Sequence, residues 1–201
     1  DAQESRGLGD VYKRQLEECA LFTTEGRTTM TPRSILAVTD FSEQGGHALA
    51  RAALLGAEHR AALQLVYLSQ PGEVPPPDVA VRLSHHALQI RQRHQIPVHA
   101  GTRMDCTVAD VARAAAGHDL VVWGMAPQRR LRAWFGAHPA IQLLRACRRP
   151  VIVVRSAAAQ PYQSLMVAVD FSQASHRLVE LGLALHPVSY THLRAHETPE
   201  H

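Results

Sequence analysis

Short apolar segments alternate with segments of helical periodicity over residues 30–155. The apolar segments are Ser34–Thr39 (SILAVT), 63–68 (LQLVYL), 97–101, 119–124 (DLVVWG) and 150–155 (PVIVVR). Small apolar residues at helical spacing predict helices over about 42–60, 79–95, 105–117 and 138–149. Nearly continuous apolar strands that alternate with helices indicate a parallel sheet covered on both faces.

The polar residues that flank these segments support the same pattern. Ser42 follows the first strand and is a good N-cap for the first helix. Thr107 and Asp110 have the spacing of a capping box at the third helix. The predicted fold is a doubly wound, five-stranded parallel α/β sandwich, with any ligand site beyond the carboxyl ends of the strands.

The beginning of this pattern occurs twice in the chain. Residues 164–185 align without gaps to residues 34–55 at a constant offset. The identical residues in the second copy are Ser164, Asp170, Phe171, Ser172 and Leu185. We therefore predict a tandem organisation, with a first domain at 30–156, a linker at 157–163 and the truncated start of a second domain at 164–187.

Both ends of the chain have the character of translated adapter DNA. Residues 6–15 read RGLGDVYKRQ, and 188–198 read VSYTHLRAHET. One DNA string encodes the first, and its reverse complement encodes most of the second. We expect residues 1–29 to be non-native or upstream translation and 188–201 to be an adapter-derived tail. The alternative is that both are genuine tails.

Composition excludes several classes of protein. The chain is 46% hydrophobic and 19% charged, and its formal net charge is only +3, which does not favour nucleic acid as a partner. Three cysteines at unrelated spacing indicate neither a disulfide scaffold nor a zinc module. The histidines at 85, 86, 94 and 99 lack metal-ligand spacing, so no metal is expected. No apolar run has the length of a membrane span, and we expect a cytoplasmic protein.

Together these features resemble the universal stress protein family in its tandem form. The marks are the repeated Val-x-Asp-Phe-Ser-type start, the DLVVWG strand ending in glycine, and a helix that leads into PVIVV. Many members bind ATP through a glycine-rich loop after the fourth strand. The resemblance implies a nucleotide pocket with Asp40 near the ribose and adenine, Val38 beside it, Leu68 along the base, and Gly124 at the first glycine of the loop.

The rest of that loop departs from the family pattern. The resemblance places Pro127 at the second glycine, Ala137 at the third and His138 at the hydroxyl position. Proline has no amide hydrogen and fixes φ, and a methyl group or an imidazole hinders close approach of the backbone to phosphate. No cofactor is therefore firmly expected, and ATP binding is expected to be weakened. Asp40 itself has two interpretations, a cap for the turn after the first strand or a ligand contact.

We expect a non-catalytic stress-response regulator that acts through binding and domain pairing. The resemblance implies pairing through the edge strand Val151–Val154, as a homodimer or between tandem domains, besides an unidentified protein partner. The alternative is an ATP or adenine-nucleotide switch. No nucleophile–base pair is recognisable, so no catalytic residue is assigned, although slow ATPase activity is not excluded.

Overall fold

A computed structural model describes residues 31–69, 74–101, 107–124, 139–167 and 173–185. They all belong to one structural unit, Thr31–His201. The strands are β1 Ser34–Thr39, β2 Ala62–Tyr67, β3 Val98–Ala100, β4 Leu120–Gly124 and β5 Val151–Val154. The helices are α1 Glu43–His59, α2 Val79–His94, α3 Val108–Ala115, α4 Pro139–Ala146 and α5 Gln173–Leu185.

The strands form the predicted five-stranded parallel sheet in the order β3-β2-β1-β4-β5. β1 lies at the centre, and its residues Ile35 to Thr39 are buried. Strand order reverses between β1 and β4, because the chain moves outwards to β3 and then returns to the other side of β1. In such sheets the crevice for a ligand opens at this reversal, outside the carboxyl ends of the strands.

Helix α1 begins where its sequence predicts. The Ser42 hydroxyl accepts a hydrogen bond from the Gly45 amide at 3.1 Å, which satisfies one free donor of the first turn. The face predicted to be apolar, Ala48, Leu49, Ala52 and Leu55, is buried against the sheet. The helix thus covers the sheet with small residues that allow close packing.

The apolar side chains form a cluster on each face of the sheet. One cluster joins β1 and β2 to α1 and α2, and it contains Ile35, Leu49, Leu65 and Leu83 among others. The second joins β1 and β4 to α3 and α4 through Val38, Val111, Val121 and Leu143. This two-sided core confirms the predicted α/β class.

All four predicted helices end one to three residues earlier than predicted, at His59, His94, Ala115 and Ala146. α2 ends at His94 because Gln95 adopts the left-handed conformation, with φ of 54°. α4 ends at Ala146, before the predicted end at residue 149; Pro150 disfavours helical backbone at residue 149 itself, which accounts for the last of these positions. Residues 102–106 and 138, at the predicted starts of α3 and α4, lie outside the described residues.

The repeated segment forms a helix where α1 predicts one, but the described residues that align with the start of β1 form no strand. α5 begins at Gln173, which aligns with Glu43 at the start of α1. Residues 164–167 form no strand, and Met166 is 79% exposed. A strand requires hydrogen bonds from a neighbouring strand, and no described strand pairs with this segment. The assignment of 164–187 to a second domain stays a prediction, as do the boundaries proposed for both ends.

Candidate functional site at the carboxyl edge of the sheet

The turn after β1 uses Asp40 as a cap. Its Oδ1 accepts a hydrogen bond from the Ser42 amide at 3.0 Å and another from the Ser42 hydroxyl. The same hydroxyl then accepts the Gly45 amide, so one carboxylate oxygen and one hydroxyl hold the entry into α1. This geometry supports the capping interpretation of Asp40. The carboxylate is half-buried, so a ligand contact stays a prediction.

Gly124 lies where α1 passes directly over the end of β4. A Cβ atom at this position would lie 1.9 Å from the Gln44 carbonyl oxygen, which is far inside contact distance. Gly45 is equally confined, because a Cβ there would lie 2.7 Å from Asp40 Oδ1. The need for glycine at position 124 therefore follows from helix packing, without any phosphate contact.

The apolar positions predicted for the pocket lie together on one face of the sheet. Val38 and Leu68 are buried in the same cluster, beneath α3 and α4. The Leu68 amide donates to the Thr39 carbonyl at 2.9 Å, which fixes the end of β2 beside the end of β1. These side chains are buried among other apolar side chains, as expected for the floor of an apolar site.

The structure thus brings Val38, Asp40, Leu68 and Gly124 to one edge of the sheet. The other predicted pocket residues, Pro127, Ala137 and His138, lie outside the described residues. The described part of the edge offers an apolar floor and one capped carboxylate. Of the loop that the resemblance implies, only Gly124 belongs to the described part of this edge.

An aromatic stack beside Asp40 was missed by sequence reasoning. The Phe41 ring stacks on Tyr67 with centroids 5.0 Å apart and faces His86 at 6.1 Å. The Arg82 guanidinium lies 4.1 Å from the Phe41 ring centroid, within cation–π distance. Spacing on α2 places residues 82 and 86 on one face. Nothing in the sequence indicates that Phe41 reaches them, because its φ of 61° is unusual for a non-glycine residue.

The electrostatics of this stack favour a neutral imidazole. Burial lowers the pKa of His86, and the neighbouring His85 and Arg82 lower it further. At neutral pH His86 is therefore an aromatic surface with a hydrogen-bonding edge, and Arg82 provides the permanent charge beside it.

Metal and cysteine chemistry find little support in the described part of the chain. No group of three or more His, Cys, Asp or Glu side chains in those residues could hold a metal ion. Cys147 follows α4, and its thiol donates weakly to the Arg149 carbonyl at 3.6 Å. Within the same residues, no helix has the length and apolar character required to cross a membrane.

The parallel strand order, the two-sided core and the reversal of strand order between β1 and β4 define a doubly wound α/β domain. Residues 32–155 match the model of the universal stress protein family. The match covers more than half of the chain, and this protein belongs to that family.

Solved structures agree with this assignment at the level of the fold. A universal stress protein from Archaeoglobus fulgidus DSM 4304 matches with a TM-score of 0.62 and 13% identity, over 77% of this chain and 61% of that protein. A universal stress protein in complex with cAMP matches with a TM-score of 0.50 and 14% identity, over 63% of this chain and 98% of that protein. Among curated proteins, none matches significantly.

Proposed function

We propose that this chain is a non-catalytic stress-response protein that acts through binding and domain pairing. The observation that carries the proposal is the open edge of β5. This strand pairs with β4 on one side, and no described strand pairs with its other side. Val151, Ile152 and Val153 are only half-buried, so an apolar strand with free backbone groups borders the sheet.

The ladder identifies which backbone groups face outwards. The Val121 amide donates to the Pro150 carbonyl at 3.0 Å. Alternate residues of a parallel strand face the same neighbour. Residues 150, 152 and 154 therefore face β4, while Val151 and Val153 direct their amides and carbonyls away from it. A partner strand could therefore form regularly spaced hydrogen bonds with these amides and carbonyls.

The partner that suits this edge is another domain of the same kind. Members of the family are expected to pair through their last strands, which supports a homodimer in which Val151–Val154 of one copy meets its counterpart. Pairing with a tandem second domain would use the same groups. The unidentified protein partner, whose chemistry is not assigned, would bind elsewhere on the two paired domains.

The edge can be tested with Val153→Pro in the full-length chain. Proline removes an outward amide while leaving the hydrogen bonds to β4 intact, so the variant should fold with an unchanged melting temperature. We expect concentration-dependent dimerisation of the wild type in sedimentation velocity, and at least a tenfold weaker association for Val153→Pro. Val153→Ala keeps the amide and is the matched control. A wild type that stays monomeric, or a proline variant that associates normally, would contradict the proposal.

The absence of catalysis is part of this proposal. The Ser42 hydroxyl donates a hydrogen bond to Asp40 and caps α1 by accepting one from the Gly45 amide. A carboxylate and a hydroxyl that stabilise a helix end are poorly placed to exchange protons with a substrate. Slow ATP hydrolysis above the buffer rate would argue against this part.

A second candidate is an adenine-nucleotide switch. It is favoured by the convergence of Val38, Asp40, Leu68 and Gly124, and by the cAMP complex of a structural neighbour. It is opposed by Pro127 and Ala137 at the glycine positions, and by His138 at the hydroxyl position, of the phosphate-binding loop that the resemblance implies.

Calorimetric titration of ATP and of cAMP into the full-length chain distinguishes these candidates. We expect no saturable heat from ATP. Asp40→Asn retains an acceptor for the Ser42 amide and tests the charge alone. Saturable ATP binding that Asp40→Asn weakens about tenfold, without loss of stability, would establish the switch instead.

A further inference from the structure

A groove runs between α1 and α2 on the surface away from α3 and α4. It encloses a cavity of about 240 Å³. Leu49, Ala53 and Leu54 of α1 and Ile90 of α2 provide an apolar floor, and the linker residues Ala158 and Ala159 form one wall. None of Val38, Asp40, Leu68 and Gly124, the described residues of the predicted nucleotide pocket, lines this cavity.

The polar side chains that line the groove all come from α2. They are His86, Gln89, Arg93 and His94, and the lining includes no carboxylate. α2 as a whole contains no Asp or Glu, and among the described residues Arg93 forms no salt bridge. The groove therefore combines an apolar floor with a cation that lacks a partner charge.

Arg93 is the charge on which a ligand would depend. Burial lowers the pKa of His94, and the adjacent Arg93 lowers it further. The imidazole is then neutral at pH 7 and offers one hydrogen-bonding group beside the guanidinium. A carboxylate is the group that best matches a guanidinium flanked by such a donor.

The linker wall is held in place by Arg51 of α1. Its Nη1 donates to the Gln160 carbonyl at 3.0 Å, and its guanidinium lies 4.0 Å from the Tyr162 ring centroid. Tyr162 itself packs against the main apolar cluster. The wall is therefore a docked part of the fold, and the groove is more enclosed than two helices alone would make it.

We propose that this groove binds a small amphipathic carboxylate, with its aliphatic tail on the α1–α2 floor and its carboxylate at Arg93. The cavity volume equals that of about eight water molecules, which suits a chain of the length of hexanoate or octanoate. Burial of the tail provides affinity, and the unpaired guanidinium provides selectivity for an anion. This site is distinct from the β5 edge, and it adjoins the candidate site at the carboxyl edge through His86, which lines the groove and faces Phe41.

The test is a titration of octanoate into the full-length chain, followed by ¹⁵N amide shifts and by calorimetry. We expect saturable shifts confined to α1, α2 and the linker. Arg93→Gln should weaken binding about tenfold, and Ala50→Phe should abolish it by filling the groove. Both residues are exposed, so both variants should fold. Arg148→Gln removes an equal charge between α4 and β5 and should bind like the wild type.

Octylamine and octanol separate the contributions of charge and tail. Octanol should bind more weakly than octanoate, and octylamine should not bind. Equal binding of all these ligands, or unchanged affinity of Arg93→Gln, would overturn the anion assignment. Absence of saturable octanoate binding, or shifts outside the groove, would overturn the site.

Discussion

At residue 124 the chain has no room for a side chain, because the first turn of α1 presses against the end of β4. The atoms nearest to an added Cβ at Gly124 belong to the backbone of Gln44 and Gly45, which cannot rotate away. Gly124→Ala should therefore lower the free energy of unfolding, measured in urea, by about 2–4 kcal/mol. Gly46 is the matched control, because a Cβ there meets nothing within 4 Å and alanine favours helix. Gly46→Ala should stabilise by about 0.5–1 kcal/mol, and equal effects of the two changes would contradict this account.

Individual site residues differ in how far sequence reveals them. Asp40 could be interpreted as a cap because its hydrogen bonds to Ser42 span only two positions along the chain, and such short-range chemistry is visible in the order of residues. Gly124 was singled out through a family resemblance, yet the physical reason for glycine is contact with a distant helix. Phe41 could not be predicted, because its left-handed backbone is stabilised by Tyr67, Arg82 and His86 from other elements.

Among the secondary-structure elements, the starts of the helices were easier to predict from the sequence than their ends. Ser42 caps α1, and Thr107 with Asp110 forms the predicted capping box of α3, with hydrogen bonds in both directions. Both signals are local. α2 ends just before Gln95, which adopts the left-handed conformation although it is not the glycine that usually marks such a helix end in a sequence. Strand bounds were close because buried parallel strands are continuous apolar runs, while β3 is short and its polar His99 faces solvent.

At residues 164–167 the local sequence pattern and the structure differ. Their sequence is as apolar as that of β1, but β1 has β2 and β4 as neighbours, whereas 164–167 has no described partner strand. Leu165, Met166 and Val167 remain exposed. The helix of the same repeat needs no partner for its internal hydrogen bonds, and α5 forms. Similarity of sequence therefore predicted the helix correctly, whereas residues 164–167, the described part of the segment that aligns with β1, form no strand.

The stability of the whole molecule at low pH depends on the Asp119 carboxylate, which lies at the edge of the sheet opposite the candidate site. Asp119 Oδ2 accepts the Arg33 amide at 2.9 Å, the Ser34 amide at 3.0 Å and the Ser34 hydroxyl at 2.9 Å, which joins the starts of β1 and β4. Burial tends to raise the pKa of Asp119, but these hydrogen bonds and nearby Arg149 outweigh it and hold the pKa below its ordinary value of 3.8.

A lowered carboxyl pKa in the fold means that the unfolded chain takes up the proton first as pH falls. The stabilisation is therefore complete above pH 3.8 and is lost as pH falls through the lower, folded pKa. Because Asp119 is exposed, Asp119→Asn should cost only about 1 kcal/mol at neutral pH, and its stability should converge with the wild type in acid. Urea unfolding at a series of pH values measures this, with Glu58→Gln as an exposed control. If the free energy of unfolding of Asp119→Asn stays below that of the wild type by the same amount at every pH, Asp119 joins the central strands of the sheet by its shape and not by its charge.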